Sequence, residues 1–318
     1  TLCWKMKEKL NPFTVAEIVQ NTQVQNFRLY GWEEFDIDII RAIIRRVPQA
    51  TFAIEIPPHK VNDCANDYGV CLSLLQQYAD LPPNAVKYIA IGNEPYYAGK
   101  DDMDFSKIPA AIENVAKAQA SLGFTAQVTV PFSMHAFLST YPVYTGCFRE
   151  PSGKVSERNG MFSDVLSMIE KYNGVFAFHP YPYFVANGDP SKLDECLDVK
   201  KMLYNQIRAA RYALKSLGFE SLPMVITEIG WPTSGDNKDV ANGLNAAKFF
   251  ASLSDAIEED FFRTVELCDG SHARGVLDIY AFEMFDEEEK EVVLMKSISA
   301  GSLSVVRKST ISKRRAMR

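Results

Sequence analysis

Two glutamates stand where short apolar runs stop. Residues 86–91 (VKYIAI) lead through Gly92 into Asn93 and Glu94, and residues 224–227 (MVIT) lead into Glu228. A carboxylate at the end of a buried segment is costly unless it is hydrogen-bonded or has chemical work to do. Two such groups facing one cleft are the minimum equipment for cleaving a glycosidic bond. One protonates the leaving oxygen, and the other attacks the anomeric carbon or activates a water. The pair lie 134 positions apart, so only tertiary structure can bring them together. Trp231, three residues after Glu228, adds a flat apolar face of the kind on which sugar rings stack.

Other chemistries are poorly equipped. His59, His135, His179 and His272 are scattered, with no H-E-x-x-H spacing. The acidic run over 283–291 lacks the ligand spacing of an EF-hand. Neither a G-x-S-x-G elbow nor a phosphate-binding glycine loop occurs. The expectation is a reaction that needs no metal and no cofactor.

The two glutamates must be held by a scaffold, and the apolar pattern supplies one. Strands are expected at Leu2-Cys3-Trp4 and over 26–31, 51–57, 86–92, 127–131, 175–179, 224–227 and 277–282. Helical periodicity fills the intervals 14–23, 36–46, 70–79, 108–122, 162–172, 197–217 and 241–256. Thr14 and Glu17 have the spacing of a capping box, and Gly123 and Gly218 stand where helices should end. The stretch around Cys64 and Cys71 reads first as a polar loop. The segments Ala120-Ser-Leu-Gly-Phe124 and Lys215-Ser-Leu-Gly-Phe219 echo each other, as if one helix-to-strand connection were used twice. Eight strands alternating with helices predict a parallel sheet, and in about 290 residues a single-domain (β/α)₈ (TIM) barrel. An open doubly wound sheet would announce itself with a glycine-rich turn after its first strand, and none is present.

The totals agree with a folded chain. It has 318 residues, 47% hydrophobic and 23% charged, enough to bury a sizeable core. Its net charge is −6, which argues against a nucleic-acid partner. Residues 296–318 hold seven Lys/Arg and no acid, which leaves −13 for the rest. No run of about 18 apolar residues is present to span a membrane. The six cysteines fit three disulfides by number, with Cys64 and Cys71 close enough in sequence for a local bridge. The chain begins at Thr1 with no signal-peptide pattern before it, as a processed secreted protein or any trimmed chain would.

The residues after the second glutamate carry a resemblance. Glu228-Ile-Gly-Trp-Pro, followed by Thr-Ser-Gly, resembles the E-x-G-W-P signature of glycoside hydrolase family 17, the β-1,3-glucanases, at the end of the seventh barrel strand. The resemblance implies that Glu228 is the catalytic nucleophile and that Trp231 binds substrate. Gly92-Asn93-Glu94 is similar to the family's second motif. It implies Glu94 as general acid/base, with Asn93 bonding the sugar's 2-hydroxyl or the nucleophile. The family retains anomeric configuration, so a carboxyl separation of about 5–5.5 Å is implied. Pro95 departs from the aliphatic residue often found there, and N-E-P is shared with other β-glycanase families of the same clan.

Three further matches concern the cleft walls. Arg28-Leu29-Tyr30 resembles an R-L-Y whose Tyr, here Tyr30, lines the cleft. Tyr181-Pro182-Tyr183-Phe184 resembles Y-P-Y-F and implies Tyr181 at the substrate, although His179-Pro180 also fits an H-P slot, a register ambiguity of two. Phe282 and Met284-Phe285-Asp286-Glu287 through Lys290 resemble F-x-M-F-N-E-x-x-K. That match implies an aromatic wall at Phe285 and an auxiliary acid and base at Glu287 and Lys290.

The resemblance covers residues 2–290, the expected catalytic barrel domain (1–290), and residues 291–318 form a divergent basic tail. It implies a monomeric, secreted endo-1,3-β-glucanase acting on β-1,3-glucan of a cell wall. An exo-β-1,3-glucosidase, a glucan transglycosylase and a non-catalytic glucan-binding barrel stand as alternatives.

Overall fold

The computed structural model describes residues 11–22, 24–30, 34–95 and 103–283. Its parallel strands are β1 (Asn26–Arg28), β2 (Thr51–Ile56), β3 (Val86–Ile91), β4 (Gln127–Thr129), β5 (Pro131–Ser133), β6 (Phe176–His179), β7 (Met224–Ile229) and β8 (Val276–Ala281). They hydrogen-bond in the orders β1-β2-β3-β4 and β8-β7-β6-β5. β4 and β5 are one run of chain broken at Val130, so this run joins the two sheets. Pro131 explains the break, because it has no N–H to give to a ladder. β1 and β8 approach each other at the open edges. The strand expected at Leu2-Cys3-Trp4 lies outside the described residues.

Counting β4 and β5 as one, seven parallel strand runs alternate with helices among the described residues, the order of a (β/α)₈ barrel that the sequence predicts. Two apolar layers hold it. Inside the sheet, alternate strand positions place Ala53, Tyr88, Ala177, Val225 and Tyr280 with Val175 in one small buried cluster. Outside it, the sheet packs on α1 (Pro12–Thr22), α2 (Glu34–Arg46), α3 (Pro58–Asn66), α4 (Tyr68–Gln76), α5 (Ile108–Ser121), α6 (Met161–Lys171), α7 (Pro182–Gly188), α8 (Leu193–Leu197), α9 (Met202–Leu217) and α10 (Gly243–Glu258). Phe162 anchors this outer layer, with ring centroids 4.7 Å from Phe132 and 4.2 Å from Phe148. Near the N-terminal ends of the strands, Lys87 Nζ lies 2.8 Å from Asp278 Oδ2, and the Tyr88 hydroxyl donates to the same carboxylate.

Local chemistry corrects several boundaries. α1 starts at Pro12, and Asn11 Oδ1 accepts the Phe13 N–H at 2.9 Å, so Asn11 caps the helix and the Thr14–Glu17 spacing does not. The expected loop around Cys64 is α3, with Pro58 in the first turn, where a missing N–H is harmless. Asp67 then accepts the Gly69 N–H at 2.7 Å and opens α4. The helix expected over 197–217 begins only at Met202 as α9, and α8 is a separate short helix that ends at Leu197. Residues 182–188, given no element by the sequence pattern, form α7. Two antiparallel hairpins, Phe137–Ser139 with Cys147–Phe148 and Thr264–Glu266 with His272–Arg274, interrupt the β/α rhythm and were not foreseen.

The cysteines are a further correction. Cys64, Cys71, Cys147, Cys196 and Cys268 are all free thiols, so six residues do not make three bridges. Cys71 Sγ instead donates to the Cys64 carbonyl at 3.4 Å. That partnership with Cys64, together with burial, pushes the Cys71 thiol well above its ordinary value.

The repeated S-L-G-F segments do share one connection. Phe124 N–H reaches Gln119 O and Phe219 N–H reaches Leu214 O, both at 2.9 Å, while Gly123 and Gly218 bond back to Ala120 and Lys215. Both are Schellman ends, and the glycines take φ +76° and +90°. Gly218→Ala is expected to destabilise the fold by about 1 kcal/mol in urea titration. Gly243→Ala, at a helix start where an added Cβ meets nothing within 4 Å, should leave stability unchanged or slightly higher.

Candidate active site

The site sits at the C-terminal ends of the strands and is built around a buried cation. Arg28 ends β1 and is 1% exposed. Its Nη1 donates to Glu228 Oε1 at 3.0 Å, to the Thr227 carbonyl at 3.1 Å and to His179 Nε2 at 2.8 Å. Its Nη2 donates to Asn93 Oδ1 at 2.8 Å. The guanidinium also lies 4.3 Å from the centre of the Tyr30 ring. Burial by itself would lower the basicity of Arg28, but Tyr30 and the carboxylates of Glu228 and Glu55 outweigh it and hold the charge on.

Glu228 is the best-anchored group. β7 runs to Ile229, so this carboxylate belongs to the strand and does not hang from a loop. Besides Arg28, its Oε1 accepts from the Tyr30 hydroxyl at 2.6 Å, and its Oε2 accepts from the Tyr181 hydroxyl at 2.9 Å. Burial pushes its carboxyl up, yet His179, Arg28 and the two tyrosine hydroxyls together hold it below the ordinary value of 4.5. Burial raises both Tyr30 and Tyr181 well above the usual phenol range, so both hydroxyls stay protonated and keep donating. The result is an ionised, oriented carboxylate in a dry setting.

Glu94 arrives from the other side. β3 ends at Ile91, and Gly92 turns the chain with φ +67°, where a Cβ would meet Met103 Sδ at 2.4 Å. Glu94 itself sits at φ +49°, a left-handed conformation unfavourable for a side chain. The Glu94 N–H, bonded to Pro131 O at 2.9 Å, helps to hold it there. Its Oε1 lies 2.7 Å from His179 Nδ1, and the same Nδ1 is 3.6 Å from Glu228 Oε2. The facing atoms of Glu94, His179 and Glu228 all lie within 4.8 Å of one another. That spacing would suit a shared cation, but Arg28 already places a permanent charge against two of the three.

The structure therefore brings together Tyr30, Asn93, Glu94, Tyr181 and Glu228. Asn93 spends its carbonyl oxygen on Arg28, which leaves its amide N–H groups as the part able to meet a ligand. The register ambiguity resolves in favour of both residues, since Tyr181 and His179 each reach the acids. Trp231 is a correction. It is 4% exposed, donates Nε1–H to the Val240 carbonyl at 2.9 Å and packs between Tyr183 and Phe249. Its faces are used by protein and not offered to a sugar. Phe285, Glu287 and Lys290, and the tail over 291–318, lie outside the described residues.

Sequence reasoning missed Arg28, His179 and Thr227 as members of the site. One signal was available for Arg28, a lone charge inside the apolar run over 26–30.

Because the folded carboxyl of Glu228 is depressed, the unfolded chain binds the extra proton first as pH falls. Glu228 therefore adds stability above the ordinary carboxyl value, and that stability disappears as pH drops through the folded value. Glu228→Gln should cost about 3 kcal/mol at neutral pH by leaving Arg28 without its ion pair. The gap from wild type should narrow on acidification below about 4 in paired urea titrations.

A sequence model described as glycosyl hydrolases family 17 matches residues 49–296. Over 297 residues the chain is 26% identical to glucan endo-1,3-beta-glucosidase 7 of Arabidopsis thaliana, covering 88% of this chain and 56% of that protein. It is 25% identical over 297 residues to a glucan endo-1,3-beta-D-glucosidase of Olea europaea, covering 86% of this chain and 60% of that one. The chain thus spans less than two thirds of the length of these curated relatives. Among solved structures it superposes on CJP38, a beta-1,3-glucanase and allergen of Cryptomeria japonica pollen, with TM-score 0.74 and 22% identity, covering 90% of this chain and 89% of that one. A plant beta-glucan endohydrolase gives TM-score 0.72 and 19% identity, with 92% of each chain covered. At those identities the likeness shows a common fold.

Proposed function

The chain belongs to glycosyl hydrolase family 17, and on that premise we propose that it is a retaining hydrolase that cuts β-1,3-glucosidic bonds within a glucan chain. The observation that carries this reading is the approach of Glu94 and Glu228, whose facing oxygens lie within 4.8 Å across the mouth of the barrel. So short a gap leaves no room for a water between acid and base. It favours direct attack by a carboxylate over an inverting route, which needs about 6.5–9.5 Å.

In the proposed reaction Glu94 gives its proton to the glycosidic oxygen while Glu228 attacks the anomeric carbon, forming a glycosyl ester. Glu94, now ionised, takes a proton from water, and that water displaces Glu228. Tyr30, Tyr181 and Arg28 keep the attacking carboxylate pointed and ionised before the sugar arrives. Asn93 turns its amide N–H groups toward the sugar's 2-hydroxyl. By the resemblance of their motif, Phe285 is assigned an aromatic wall and Glu287 and Lys290 the roles of auxiliary acid and base. A neutral polymer suits a chain of net charge −6. The same reading places the substrate in a cell wall and the chain, as a monomer, outside the cell. No helix among the described residues is long and apolar enough to cross a membrane.

Incubation with laminarin, mixed-linkage glucan and cellulose, scored by new reducing ends, should show release from laminarin foremost. Glu228→Ala should abolish it while the circular dichroism spectrum is kept. Glu94→Gln should lower kcat by about 10²–10⁴-fold. Full turnover in the Glu228 variant would refute the assignment.

A further inference from the structure

His179 touches both acids and belongs to neither motif that carries them. It is fully buried at the end of β6, whose ladder pairs it with Ser133, so the ring has no alternative place to go. Four groups face it: Arg28 from β1, Glu94 beyond β3, and Thr227 and Glu228 from β7.

The decisive contact is Arg28 Nη1 to His179 Nε2, at 2.8 Å. A guanidinium has five N–H donors and no acceptor. At that distance the contact is a hydrogen bond only if Nε2 offers a lone pair. Thr227 Oγ1, 3.0 Å from the same nitrogen, can then only share that one lone pair as a donor. The ring hydrogen must accordingly sit on Nδ1, the nitrogen 2.7 Å from Glu94 Oε1.

We propose that His179 is a positioning residue that decides which oxygen of Glu94 carries the transferable proton. With Nδ1–H donated to Oε1, one of that oxygen's two lone-pair directions is taken. The carboxyl proton is thereby favoured on Oε2. The same Nδ1 lies 3.6 Å from Glu228 Oε2, so the ring stands between the two acids. Without the ring the two oxygens of Glu94 become equivalent, and the group is free to turn toward Arg28. This role rests on Glu94 acting as general acid/base.

Two measurements test it. Imidazole nitrogen NMR of the isotope-labelled wild-type chain, with His179 assigned by comparison with His179→Asn, should show hydrogen on Nδ1 and a pyridine-type Nε2. A hydrogen on Nε2 would overturn the proposal. In kinetics, His179→Ala should lose about 10²-fold in kcat/KM on laminarin. On a dinitrophenyl β-laminaribioside, whose leaving group departs without a proton, the same variant should lose less than about tenfold. His179→Asn, whose amide nitrogen can stand where Nδ1 stood, should recover most of the laminarin rate. Equal losses on both substrates, or an Asn variant as poor as the Ala variant, would mean that the ring is only structural. A wild-type chain inert on both substrates would overturn the glucanase reading and this role with it, while the spectrum would still report where the ring hydrogen lies.

Discussion

One buried guanidinium organises the mouth of this barrel. Arg28 binds a carboxylate, an amide oxygen, a backbone carbonyl and an imidazole, drawn from the neighbourhoods of three different strands. Taking such a charge out of water is expensive, and an ion pair in a low-dielectric interior often does no more than offset that cost. The arrangement is better understood as geometry than as stabilisation. Each acceptor of Arg28 is a group whose direction matters to chemistry, and each is fixed by the same planar fork. The fork also explains why Tyr30 lies as it does, since its ring covers the cation while its hydroxyl reaches Glu228.

The barrel gives that fork something rigid to work against. Below the polar layer, Ala53, Tyr88, Ala177, Val225 and Tyr280 fill the interior. Above it, the backbone is bent out of ordinary conformations at Gly92 and Glu94. Unfavourable backbone angles persist only where surrounding contacts insist on them. Here Met103 crowds Gly92 and the Pro131 carbonyl holds the Glu94 amide. The two acids thus reach the cleft by different means, Glu228 from within a regular strand and Glu94 from a turn forced by packing.

How much of this could be read from the residues alone depended on whether a feature is local. Strand ends are local, and so Glu94 and Glu228 stood out, as did the order of strands that brings them together. The S-L-G-F repeats were equally legible, because a glycine after a helix demands little context. Caps and breaks were harder. Asn11 and Thr14 both suit a helix start, and only the fold chooses Asn11. Trp231 was misread because its motif shows an exposed-looking aromatic, whereas the loop that returns at Val240 covers it and accepts its N–H. Arg28 and His179 lay hidden for the opposite reason. Each sits in a strand that pattern analysis assigns to the core, and a polar residue there declares itself only when its partners from other strands, 48 to 200 positions away, are seen. The even number of cysteines misled as well, since the count carries no distances.

The far end of the cylinder has a bearing on traffic through it. Lys87, Asp278 and Tyr88 tie β3 to β8 there, and Ala53, Ala177, Val225 and Tyr280 are buried inside the sheet. Among the described residues, that end of the lumen is filled by side chains. Anything that docks at the rim must depart by the rim, so one occupant and the next contend for a single doorway. The breadth of that doorway, set by the loops after the strands, then governs how long each occupant stays.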